Sequence, residues 1–68
     1  MRFDVEIDHE DDGRWIAEIP ALPGCLAYGA SRKEAVDRAE SLALRILADR
    51  IEAGETVPDL ADTFLVPV

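Results

Sequence analysis

The stretch "IPALPGCLAYG", residues 19–29, decides the fold, because it interrupts an extended segment and restores it at once. It holds two of the four prolines and two of the four glycines in the chain. Pro20 and Pro23 cannot donate ladder hydrogen bonds, and each favours extended geometry in the residue before it. The segment "PALPG", residues 20–24, therefore predicts an ordered bend between two strands.

The residues before the bend alternate in polarity, as half-buried strands do. In residues 2–8, Phe3, Val5 and Ile7 alternate with Asp4, Glu6 and Asp8, and successive strand side chains point to opposite faces. The turn "HEDDG", residues 9–13, predicts a hairpin, because its glycine adopts a positive φ at little steric cost. The first two strands are therefore expected to be antiparallel.

The second strand is predicted at residues 14–19, directly before the bend. Its expected buried face consists of Trp15, Ala17 and Ile19, and its expected outer face of Arg14, Ile16 and Glu18. Residues 25–28 predict a short third strand that ends at Gly29. The register between these strands does not follow from the sequence.

A long helix is predicted after the third strand. Ser31 and Glu34 form an S-x-x-E capping box, which marks a helix start. The helix is expected to run to about Ala53, with Gly54 just past its end. Its predicted apolar stripe consists of Val36, Ala39, Leu42, Ala43, Ile46, Leu47 and Ile51, opposite a polar face of Arg38, Ser41, Arg45, Asp49 and Glu52.

The segment "TFLVPV", residues 63–68, predicts a last strand that is apolar on both faces. With an antiparallel meander and one returning helix, this fourth strand would lie parallel to the first strand and beside it. The expected fold is α+β, in the order β-β-β-α-β: a four-stranded mixed sheet of spatial order 4-1-2-3, covered on one face by one helix. Residues 1–68 are expected to form a single domain.

Size and charge exclude several classes of function. A chain of 68 residues has little room for a deep enzyme cleft, and oligomerisation commonly supplements so small a core. One helix cannot bury both faces of the last strand, so a homodimer or tetramer is expected. Seven basic residues against fifteen acidic ones give a net charge of -8. Direct binding to nucleic acid is therefore not expected.

The single cysteine and the hydropathy pattern suggest where the protein resides. One cysteine excludes an intrachain disulfide framework and fits a reducing compartment. The sequence has no secretory signal pattern and no apolar run long enough to cross a bilayer. We therefore expect a soluble, cytoplasmic protein without membrane contact.

Residues 13–51 resemble the N-terminal domain of the HicB family of type II toxin–antitoxin antitoxins. The matching residues are Trp15, Pro20, the run Leu22-Pro23-Gly24-Cys25, Gly29, the Glu34-Ala35 pair and the alanine-rich helix. The resemblance implies a β-β-β-α-β domain, described as a partial ribonuclease H-like fold, that binds and blocks a small, basic HicA-type mRNA interferase.

The sequence departs from that family at two points. Many such antitoxins carry a further C-terminal DNA-binding domain, which these 68 residues lack, so operator binding is not expected. Ala21 stands where an acidic residue often precedes Leu-Pro-Gly. The alternative is therefore a stand-alone interaction or structural module with another partner.

Two groups of side chains invite a catalytic or metal-binding interpretation. Cys25 could be a nucleophile, but a thiolate needs a base or positive potential nearby, so a structural role is preferred. His9 with Glu10, Asp11 and Asp12 could bind a cation, but adjacent carboxylates in a turn lack the spacing of a calcium or zinc site. Catalysis, cofactor and metal are therefore not expected.

The remaining candidate is an acidic binding surface. Its expected members are Asp4, Glu6, Asp8 and Glu18 on the uncovered sheet face and Glu10, Asp11 and Asp12 in the adjoining turn. The same residues could be only a solvated face, and Trp15 is expected in the core rather than on a binding platform. The preferred hypothesis is an antitoxin-like protein that occludes the RNA-binding surface of its toxin.

Overall fold

The computed structural model describes residues 2–57, 60 and 63–67. Within these residues the chain forms three strands and one helix: β1 (Glu6–His9), β2 (Trp15–Glu18), β3 (Leu26–Gly29) and α1 (Arg32–Glu52). The strands form an antiparallel sheet in the order β1-β2-β3. The α+β class, the meander and the long helix are therefore as the sequence predicts.

The strand register places the small apolar residues on the side of the sheet that faces α1. Ala17 of β2 lies opposite Ile7 of β1 on one side and Ala27 of β3 on the other. Directly opposed residues share a face, and Ala17 is fully buried in the core beneath the helix. The predicted alternation in polarity is confirmed.

The bend between β2 and β3 consists of two consecutive turns. The Leu22 N–H donates to the Ile19 carbonyl at 3.0 Å, and the Cys25 N–H donates to the Leu22 carbonyl at 2.9 Å. In the second turn Pro23 precedes Gly24, whose φ of +83° is the conformation that a type II turn requires. The Ile19 N–H closes the bend on the Cys25 carbonyl at 2.9 Å. The bend is ordered, as predicted, and its Ile19, Leu22 and Cys25 side chains are buried.

The helix begins at the predicted capping box. The Ser31 Oγ accepts the Glu34 N–H at 3.1 Å, and Glu34 Oε1 accepts the Ala30 N–H at 3.2 Å. Arg38 links this helix turn to the sheet, because its guanidinium donates to the Tyr28 carbonyl at 3.0 Å and pairs with Glu34 at 3.1 Å. The first turn of α1 is thus fixed to the end of β3.

The helix also ends where the sequence indicates. Gly54 has a φ of +80°, and its N–H donates to the Ile51 carbonyl while the Glu55 N–H donates to the Arg50 carbonyl. These bonds satisfy carbonyls that the last helical turn leaves free. The observed end at Glu52 lies one residue before the predicted one.

The core is built from small side chains. Ala35, Ala39 and Ala43 recur every four residues along the buried face of α1 and are at most 5% exposed. Gly29 lies against the first turn of the helix, and a Cβ atom on it would come within 3.0 Å of the Ala35 nitrogen. The helix therefore packs very close to the sheet.

The predicted fourth strand is wrong. Residues 63–67 form no strand, and the hydrogen bonds found there are local: the Leu60 N–H donates to the Val57 carbonyl and the Thr63 N–H to the Leu60 carbonyl. Phe64, Leu65 and Val66 are 69%, 94% and 81% exposed. Val68, the last residue of the predicted strand, lies outside the described residues.

The position of α1 gives the physical reason for this correction. The helix packs chiefly on β3 and β2 and barely reaches β1, so a further strand beside β1 would lie under no helix. A segment apolar on both faces would then bury neither of them, and Pro67 cannot donate to a ladder. The mixed sheet, the order 4-1-2-3 and the ribonuclease H-like topology are therefore replaced by β-β-β-α over the described residues.

The start of the chain also differs from the prediction. β1 begins at Glu6, whereas a strand was expected from Arg2. Phe3 and Val5 nevertheless pack against the core. In the part of the chain that the structure describes, no helix has both the length and the apolar character needed to cross a membrane.

Candidate protein-binding surface

The sheet face turned away from α1 carries most of the predicted surface. We call it the open face. The register sets Glu6 opposite Glu18 and Leu26 in one row, and Asp8 opposite Ile16 and Tyr28 in the next. These six residues, Glu6, Asp8, Ile16, Glu18, Leu26 and Tyr28, define the open face.

The carboxylates of the open face are not neutralised from within the described chain. Glu6 and Glu18 are directly opposed across β1 and β2, an arrangement that is destabilising for like charges. The ion pairs found among the described residues join Arg14 to Asp12, Lys33 to Asp37 and Arg38 to Glu34, and none of them engages Glu6, Asp8 or Glu18. The open face therefore presents negative charge to its surroundings.

Apolar side chains lie among these carboxylates. Leu26 and Tyr28 are 39% and 40% exposed, and Ile16 is half-buried between Asp8 and Tyr28. A shallow depression of about 350 Å³ runs beside Ile16 and is bordered by Glu6, Asp8, Glu10 and Glu18. The open face thus combines exposed acid with exposed apolar area.

Arg14 lies at the border of the open face and is held in place from two sides. Its guanidinium carbon is 4.5 Å from the centre of the Tyr28 ring, a distance at which a cation is attracted to the ring face. Asp12 accepts the Arg14 backbone N–H at 3.0 Å and the Arg14 Nε–H at 2.7 Å. The backbone hydrogen bond, followed by the side-chain contact, lowers the pKa of Asp12.

The predicted acidic residues fall into two groups. Glu6, Asp8 and Glu18 lie together on the open face. Glu10 borders the same depression, and Asp4, just before β1, is exposed and continues the same alternation.

The second group lies in the turn that joins β1 to β2. It consists of Asp11 and Asp12, and in this turn the Gly13 N–H donates to the Glu10 carbonyl at 3.0 Å. Asp12 is engaged with Arg14 rather than free for a partner.

The predicted acidic surface does not include the apolar members of the open face, Leu26 and Tyr28. The alternation in "CLAY", residues 25–28, is the signal that identifies them. Successive strand side chains point to opposite faces, so a buried Cys25 places Leu26 and Tyr28 on the face away from the core. The predicted outer face of β2 includes Arg14, but the contact of Arg14 with Tyr28 depends on the strand register.

Several residues of the HicB resemblance have structural positions: Leu22, Cys25 and Gly29 are buried, and Gly24 adopts a positive φ. The Cys25 Sγ–H donates to the Ala39 carbonyl at 3.5 Å, and burial raises the pKa of this thiol, which opposes thiolate chemistry. The half-buried Trp15 ring stacks on His9 with centroids 4.1 Å apart. Among the described residues, no group of three or more potential metal ligands is placed to hold an ion.

The chain is similar to two curated archaeal proteins. A UPF0150 protein of Thermoplasma acidophilum is 42% identical over 36 residues, which cover 53% of this chain and 52% of that relative. A UPF0150 protein of Archaeoglobus fulgidus is 30% identical over 59 residues, covering 84% of this chain and 86% of the relative. The first match thus spans about half of the relative, and the second spans most of it.

Wider comparisons give no further match. No model of a known protein family matches the sequence. No solved structure matches it with significance.

Proposed function

The chain belongs to the UPF0150 family, and we propose that this member is an antitoxin-like protein-binding domain. In this proposal the open face covers the RNA-binding surface of a small, basic HicA-type mRNA interferase. The resemblance of residues 13–51 to HicB antitoxins supports the choice of partner. The block is steric and electrostatic, and no bond is broken.

One observation carries the proposal: carboxylates that pair with no cation among the described residues lie among exposed apolar side chains on a single face. A protein that binds RNA phosphates needs a basic surface. Partner cations placed between Glu6 and Glu18 would relieve the mutual repulsion of these two carboxylates. Complementary charge of this kind speeds association and fixes orientation.

The apolar part of the open face would supply the anchoring contacts. Tyrosine and arginine are enriched at the energetic centres of protein interfaces, and Tyr28 and Arg14 lie together at one border of the open face. Asp12 holds Arg14 through two hydrogen bonds, and Arg14 in turn contacts the Tyr28 ring. A preformed surface loses little conformational entropy on binding.

The test is the rate of association with a small basic HicA-type protein, sought first in the reading frames that adjoin this gene. A variant carrying Glu6→Lys, Asp8→Lys and Glu18→Lys should associate at least about tenfold more slowly at low salt, because electrostatic steering contributes a factor of this size or more. The salt dependence of its association rate should also become weaker or change sign. Stopped-flow measurements at several salt concentrations give both quantities.

A matched control separates local charge from net charge. The variant Asp49→Lys, Glu52→Lys and Glu55→Lys changes the net charge equally, at three exposed positions around the end of α1, and should retain most of the parent rate. Equal slowing in both variants would show that only the overall charge matters. A basic adjoining protein that does not bind the parent would favour the alternative, an interaction module with another partner.

A further inference from the structure

An apolar groove lies on the other side of the sheet, between the start of the chain and α1. It has a volume of about 270 Å³ and is lined by Phe3, Val5, Ile19, Ala43, Leu44 and Leu47, with Glu40 also bordering it. The groove follows from the position of the helix, which covers β3 and β2 but barely reaches β1. Leu44 is 61% exposed at its border.

The same chain carries an exposed apolar segment that the other described residues leave uncovered. We call residues 63–67 the tail. Its Phe64, Leu65 and Val66 side chains are 69% to 94% exposed. The radius of gyration is 14.1 Å, compared with about 11 Å for a compact chain of this length. Part of the chain therefore lies away from the core, as the exposure of the tail also indicates.

We propose that the tail of one copy occupies the groove of a second copy, and that the second tail reciprocally occupies the first groove. Both apolar surfaces belong to one chain, and a two-fold exchange covers both of them at once. A closed cavity of about 150 Å³ accommodates benzene, so the groove has room for the Phe64 ring. The occupant is therefore a second copy of this chain.

The exchange removes apolar area from water twice. Phe64, Leu65 and Val66 of each tail are exposed in the single copy, so a dimer buries two such segments at once. The groove lies on the helix side of the sheet, so the exchange leaves the open face uncovered and does not depend on the proposed function.

Sedimentation velocity of the full chain at tens of micromolar tests the proposal. The parent should sediment as a dimer, with twice the chain mass of 7.5 kDa. Phe64→Asp in the tail and Leu44→Asp in the groove should each weaken the dimer at least about tenfold, because each places a charge in a desolvated contact. Both positions are exposed in the single copy, so neither variant should unfold.

Mixing the two variants gives the sharpest result. The Phe64→Asp chain keeps an intact groove and the Leu44→Asp chain keeps an intact tail, so an equimolar mixture can form one of the two contacts. We expect the mixture to form a heterodimer, whereas each variant alone should remain largely monomeric. Ile51→Asp, at a 52% exposed position of α1 outside the groove, is the control and should dimerise like the parent.

Three outcomes would overturn the exchange. A parent chain that remains monomeric at these concentrations would contradict the reciprocal exchange. Variants that dimerise as tightly as the parent would place the dimer contact elsewhere, and a mixture without heterodimer would show that tail and groove do not meet. None of these outcomes affects binding of a toxin to the open face, so failure of either proposal is recognised separately.

Discussion

Gly29 shows how much a single residue can determine in a core of small side chains. Its φ is not positive, so its backbone conformation does not require glycine. The constraint is space: a Cβ atom at this position would meet the Ala35 nitrogen and the Glu34 carbonyl carbon at distances within 3.0 Å. The absent side chain therefore lets the first turn of α1 lie on the end of β3.

Gly29→Ala should accordingly destabilise the fold. Because backbone atoms rather than a flexible side chain stand in the way, the helix must shift, and overpacking of this kind costs about 1–3 kcal/mol. Urea denaturation followed by circular dichroism measures the loss. Ala30→Ser, at the next and exposed position, is the control and should change the free energy of unfolding by less than about 0.5 kcal/mol. An unchanged urea midpoint for Gly29→Ala would show that α1 does not pack this closely against the end of β3.

At the scale of the element, the start of α1 depends on one hydroxyl group. Ser31→Ala removes the acceptor for the Glu34 N–H and should lower the free energy of unfolding by about 1 kcal/mol. Ser41→Ala is the matched control, because Ser41 lies exposed in the middle of the same helix and caps nothing. Its stability should be equal to the parent or slightly higher, since alanine has the better helix propensity. Equal stability of both variants would exclude a contribution from the cap.

The elements that were predicted correctly are those whose signals are local. Ser31 with Glu34 and the terminal Gly54 lie within a few residues of the bonds they make, so the helix bounds could be predicted to within one residue at each end. The alternation of Glu6, Asp8 and Glu18 likewise gave the acidic side of the sheet. Each of these features depends only on residues that are close in sequence, so it can be predicted without knowing how distant parts of the chain pack.

The remaining features depend on contacts between distant residues. The fourth strand was wrong because its burial requires α1 to cover β1, and the lateral position of a helix on a sheet is set by packing rather than by its own sequence. The Glu6–Glu18 opposition and the approach of Arg14 to Tyr28 both follow from the strand register. A pattern of polarity alone does not determine that register.

At the scale of the whole molecule, charge sets the class of partner. The net charge of -8 and the unneutralised carboxylates of the open face should repel a phosphate backbone. This chain should therefore give no shift of duplex DNA or single-stranded RNA at physiological salt, as measured by electrophoretic mobility and fluorescence anisotropy. Micromolar binding that weakens with added salt would contradict this and would point to a cationic surface.

The order of contacts along the chain has a consequence for the folding rate. β1 pairs with β2, β2 with β3, and β3 packs most extensively with α1, so each element meets its neighbour in sequence. Mixed α/β domains fold at rates between those of helical bundles, which fold in microseconds to milliseconds, and those of all-β domains, which take milliseconds to seconds, whereas a ribosome adds only about 5–20 residues per second. Each hairpin can therefore close soon after it leaves the ribosome exit tunnel, and the sheet can be in place to receive the helix when the last turn of α1 emerges.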